Sequence, residues 1–71
     1  MRASEAHEGQ IIRQTEEIGW YMDDRQHRDF KTGTLWRVRR ADPGFPDIEL
    51  LIKSDKGNIA EGVTLENYEP L

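Results

Sequence analysis

One central stretch constrains the chain most: Phe30-Lys31-Thr32-Gly33-Thr34-Leu35-Trp36-Arg37-Val38-Arg39-Arg40. Thr32-Gly33 reads as a turn in which the glycine supplies a positive φ. From Thr34 to Ala41 large apolar residues alternate with polar ones. Side chains of a strand point alternately to its two faces. Thr34, Trp36, Val38 and Arg40 therefore share one face, and Leu35, Arg37, Arg39 and Ala41 the other. Trp36 and Val38 mark the first face as core.

The rest of the C-terminal half repeats this strand-and-turn pattern. Asp42-Pro43-Gly44-Phe45-Pro46-Asp47 is a turn, because Pro-Gly suits a type II turn and Pro46 cannot continue a ladder. Ile48 to Lys53 follows as a strand, with Ile48, Leu50 and Ile52 on one face. The two strands make a hairpin with a loop of about six residues. Ser54 to Asn58 reads as a second turn. Ile59 to Leu65 reads as a third strand, with Gly62 marking a bulge or a close backbone approach. The chain closes with a short 3₁₀ turn and apolar contacts through Tyr68 and Leu71.

The N-terminal half is less regular. Residues 1–8 read as a polar tail, with the domain spanning 9–71. Gly9 to Met22 reads two ways. As a helix, its stripe would be Ile11, Thr15, Ile18 and Met22, and Gly9 inside it would cost about 1 kcal/mol relative to Ala. As a strand, residues 10–15 follow a glycine and hold adjacent β-branched residues. The strand is preferred; the helix remains the alternative, in which residues 4–18 pack on the sheet or join two copies. Ile18 to Met22 forms a second apolar cluster. Residues 23–29 are all polar and read as an exposed loop.

A chain of 71 residues without cysteine is one domain with no disulfide or thiolate metal site to staple it. Two Trp, two Tyr and two Phe are too many large anchors for a typical disordered chain. No long apolar run spans a membrane and no apolar leader is present, which points to a cytoplasmic location. The net charge of −4 is unevenly spread. Residues 31–40 carry Lys31, Arg37, Arg39 and Arg40 with no acid, set between acidic flanks. Acidic flanks repel phosphate, which counts against general nucleic-acid affinity but leaves a local basic face.

No catalytic or metal motif stands out. His7 and His27 match no ligand spacing, and Asp23, Asp24 and Asp29 read as a solvated loop. Glu16-Glu17 and Asp23-Asp24 are adjacent, so on a strand each pair would split between faces. The chain has no nucleophile elbow or phosphate-binding glycine loop. The expectation is a protein that is not an enzyme and holds no cofactor or metal.

Two stretches carry a family resemblance. One is Asp29-Phe30-Lys31-Thr32-Gly33-Thr34-Leu35-Trp36-Arg37-Val38. The other is the closing Val63-Thr64-Leu65-Glu66-Asn67-Tyr68-Glu69-Pro70-Leu71. Together they resemble the SH3-like small β-barrels, including KOW-like and short bacterial or phage-encoded forms. The resemblance implies a mainly β fold, an antiparallel barrel of about five short strands. The aromatic stretch of the signalling SH3 domains is missing, so their proline-peptide groove does not carry over.

These readings converge on a small regulatory module that binds a protein partner, of the phage- or mobile-element-encoded kind. Its contact residues are Trp20, Tyr21, Leu35, Arg37, Arg39 and Leu51. Outward Leu35 and Leu51 beside Arg37 and Arg39 form an apolar patch ringed by charge, as interface cores are. The alternative is a nucleic-acid-binding accessory domain that uses the same basic strand, with Trp20, Tyr21 or Phe45 stacking a base. Association of two copies into a homodimer is a further reading.

Overall fold

The structure is a computed structural model; it describes residues 1–21, 25, 27–51 and 59–71, without the side chains of Trp20 and Tyr21. The expected Ile52, Lys53 and the turn at 54–58 lie outside the described residues. The fold is mainly β and antiparallel, as the strand patterning implies. Its strands are β1 (Ile11–Gln14), β2 (Ile18–Tyr21), β3 (His27–Phe30), β4 (Leu35–Arg40), β5 (Asp47–Leu50), β6 (Ile59–Ala60) and β7 (Tyr68–Pro70). Five of them form one sheet in the order β6-β5-β4-β1-β7, and β2 and β3 pair in a second.

The central hairpin forms as its pattern requires. Gly33 has φ +94°, and Thr34 N–H donates to Lys31 O across the turn at 3.1 Å. On β4, Trp36 and Val38 are buried while Leu35, Arg37 and Arg39 face outward. The register sets Trp36 opposite Leu50 and Val38 opposite Ile48. A shift between Val38 and Arg40 then brings Arg40 opposite Asp47. This corrects the simple alternation that put Arg40 on the Trp36 face: an extra residue in one strand reverses the side-chain sense beyond it.

The ambiguous segment forms two strands within its described residues 9–21, with Met22 outside them, and the only helical turn among the described residues is a 3₁₀ turn at Ala3–Glu5. β1 is decided by its partners, since it lies between β4 and β7 and pairs with both. The segment at 1–8 seats Met1 and Ala6 against the core, and the Met1 amino group donates to Leu65 O and Tyr68 O.

Two local readings change. Residues 27–29, expected in a loop, lie in β3, where Asp29 sits opposite Gly19 and His27 opposite Tyr21. Backbone pairing with β2 overrides the polar composition, and Phe30 anchors the strand in the core. Beyond Ala60 the expected third strand is irregular. Val63 and Leu65 are nevertheless buried, and β7 takes up the free edge of β1. The closing turn appears as Tyr68 N–H donating to Leu65 O; Tyr68 is buried and Leu71 exposed.

The core comprises Ile12, Phe30, Trp36, Val38, Ile48, Leu50, Val63, Leu65 and Tyr68, with Ile18 packed against it. Phe30 meets Trp36 edge to face, with ring centroids 5.2 Å apart. Gln14 is buried among them. Its Oε1 accepts from the Trp36 indole N–H at 3.0 Å. Its Nε2 donates to Glu16 O at 2.8 Å and Phe30 O at 2.6 Å. One amide thus ties β1 to β4, to the loop before β2 and to the end of β3.

Candidate outward-face interface

The inward faces of β1, β4, β5 and β7 are committed to the core, so the opposite face of the same sheet carries the remaining side chains. Three rows cross it. In the first, Ile59 lies opposite Glu49, Glu49 opposite Arg37, and Arg37 opposite Ile11. Leu71 extends this row, its N–H donating to Ile11 O at 3.2 Å. In the second, Leu51 N–H donates to Leu35 O at 3.0 Å, Leu35 lies opposite Arg13, and Arg13 opposite Glu69. The third is the Arg40–Asp47 pair beside the bulge.

Each row carries an ion pair between neighbouring strands. Arg13 reaches Glu69 at 2.7 Å, Arg37 reaches Glu49 at 3.2 Å, and Arg40 reaches Asp47 at 3.0 Å. Asp47 also accepts Gly62 N–H at 3.0 Å, which pins the start of β5 to the loop after β6. Arg39 has no ion-pair partner among the described residues. Ile11, Leu51 and Ile59 are half-buried, and Leu35 is 37% exposed. The face alternates aliphatic side chains with guanidinium–carboxylate pairs held in the plane of the sheet.

Of the residues singled out from sequence, Leu35, Arg37, Arg39 and Leu51 share this face. Trp20 and Tyr21 do not lie in this sheet: they are in β2, opposite Arg28 and His27. Glu49 follows from its alternation with Leu51, but Ile11, Ile59, Arg13 and Glu69 were not legible beforehand, because their place on the face depends on the register of β1, β6 and β7. Gln14 did leave a signal. It follows Ile12 by two positions, which puts it on the core side, and a buried Trp indole N–H needs an acceptor.

The second sheet presents a different surface. Arg28 lies over the Phe30 ring, 5.4 Å from its centroid. His27 and Asp29 project together, Nδ1 to Oδ1 3.7 Å, over the space that Gly19 leaves. A Cβ at Gly19 would lie 2.5 Å from Asp29 Oδ1 and 2.7 Å from the His27 ring. Glycine is therefore what lets these two side chains lie down on β2.

An open cleft of about 290 Å³ is lined by Ile18, residues 61–64, Asn67 and Tyr68. The Tyr68 hydroxyl is shut off from solvent and has no hydrogen-bond partner among the described residues. Burial pushes its pKa well above the ordinary value of 10.0 and keeps it neutral. Tyr68 offers the cleft its ring and no accessible donor. Among the described residues no cluster of three or more metal-ligating side chains forms, and no helix is long and apolar enough to cross a membrane.

In comparison with known proteins, no family model, no curated protein and no solved structure matches the chain.

Proposed function

We propose that the chain is a small protein-interaction module whose contact surface is the outward face of the five-stranded sheet. The observation that carries this reading is the company Leu35 and Leu51 keep. They lie side by side, within a face where three arginines are already neutralised by carboxylates on adjacent strands. Apolar area with mostly pre-paired charge suits a protein surface, because of the four arginines there covering it strands only Arg39.

The same pairs weigh against nucleic acid. A phosphate would have to displace a carboxylate from Arg13, Arg37 or Arg40, and counterion release would be correspondingly small. In this reading the module is regulatory, cytoplasmic and of SH3-like type. The turn at Leu65–Tyr68 and the return of β7 to β1 support the SH3-like part.

Affinity capture with the intact chain as bait tests the proposal. The Leu35→Glu, Arg39→Glu double variant should lose captured protein by at least about tenfold, as removal of a central interface contact does. Glu66→Gln, an exposed change outside the sheet, should leave capture intact. Equal capture by both variants would sink the proposal.

A further inference from the structure

We infer that the occupant of this face is a second copy of the chain, packed sheet against sheet about a two-fold axis. The inference rests on the reading of the face as a contact surface and names what covers it.

Charge carries the argument. The face holds Arg13, Arg37, Arg39 and Arg40 against Asp47, Glu49 and Glu69, four minus three, or +1. The described residues carry eight basic against eleven acidic side chains, or −3, so those off the face carry −3 minus +1, or −4. Copies approaching through the remainder bring like charge together. Copies approaching through this face meet a nearly neutral surface, and their acidic remainders point away from each other.

Within the face, three guanidinium groups already hold carboxylates, so they can be covered without finding new partners. Arg39 is left to reach a carboxylate of the other copy, and a two-fold axis makes that contact twice. The aliphatic side chains of Ile11, Leu35, Leu51 and Ile59 stand between the pairs and can interdigitate, as the inner faces of stacked sheets do.

Area sets the strength. Five strands about 4.8 Å apart, each of about four residues at 3.3 Å, span roughly 24 by 13 Å. With side-chain relief this is on the order of 500 Å² of accessible surface per copy, or about 1,000 Å² for the pair, the lower limit for a specific interface. A contact of that size belongs to the reversible, transient class.

Sedimentation equilibrium of the full chain from about 1 μM to about 1 mM tests the inference. The mass should rise from 8.3 kDa towards twice that value. Leu35→Glu and Leu71→Glu should each raise the dissociation constant at least about tenfold with an unchanged circular dichroism spectrum. Leu71 is 68% exposed, so its variant decides the question even if Leu35→Glu fails to fold. A chain that stays monomeric throughout overturns the inference, and so does a dimer that neither variant weakens. A monomer that still captures another protein through Leu35 overturns self-pairing alone and leaves the contact-surface reading standing.

Discussion

On the inward face of the five-stranded sheet, Gln14 is sealed from water and makes three hydrogen bonds; on the outward face, Arg13, Arg37 and Arg40 hold ion pairs in contact with solvent. Both are polar devices that join strands, and the outer ones carry full charges. The difference lies in what each group does when its partner is lost. An outward arginine turns to water at little cost, whereas groups around Gln14 have no water to turn to. The neutral amide is therefore the stronger fastener, and the charged pairs serve the surface more than the fold.

The largest expected effect comes from breaking the inner device. Gln14→Leu keeps a similar volume but removes the three hydrogen bonds that Gln14 makes with the Trp36 indole N–H, Phe30 O and Glu16 O. The loss should be about 3–5 kcal/mol in urea unfolding, a large share of a small domain's stability. A variant within about 1 kcal/mol of the parent would show that the comparison overrates Gln14.

The next effect has the opposite sign. Among the described residues, Tyr68 is the inward one whose polar group fails the rule that Gln14 satisfies, because its hydroxyl is buried with no partner among them. Tyr68→Phe should therefore raise stability by about 1 kcal/mol at neutral pH. The pH dependence follows from the raised pKa. The folded state holds the neutral phenol, while the unfolded chain ionises near the ordinary value of 10.0. Stability from this group is fully present below pH 10 and is lost as pH rises through the higher folded value. The margin between Tyr68→Phe and the parent should therefore widen above pH 10; a margin constant with pH would count against it.

The smallest effects belong to the outward pairs. A double-mutant cycle on Arg37 and Glu49 should return a coupling of about 0.5 kcal/mol that shrinks with added salt. The carboxylates should also rank by enclosure. Asp47 is 15% exposed and also accepts Gly62 N–H, Glu49 is 24% exposed and Glu69 46% exposed. Alanine at Asp47 should cost most and at Glu69 least. A reversed order would show that burial is not what separates the two faces.

Much of the fold was legible because it is local. The alternation in β4, the Gly33 turn and the loop before β5 are each written within a few residues of the chain. The irregularities were not. Residues 27–29 look like loop by composition, and only pairing with β2 makes them a strand. Residues 61–65 look like strand, yet only Ile59 and Ala60 pair with β5. Part of the outward face was legible for the same reason: Leu35, Arg37, Arg39, Glu49 and Leu51 follow from alternation in neighbouring strands.

What the sequence determined by itself was the mainly β class, the core side of β4 and the uneven charge, since each is a property of composition or of a two-residue period. Tertiary structure decided which charges meet and which polar group is sealed in. Arg13 and Glu69 are 56 residues apart along the chain, and Gln14 and Trp36 are 22 apart. A local pattern carries no record of such distances. They are closed only when β1 takes its place between β4 and β7, and that step turns a run of basic residues into a nearly neutral face.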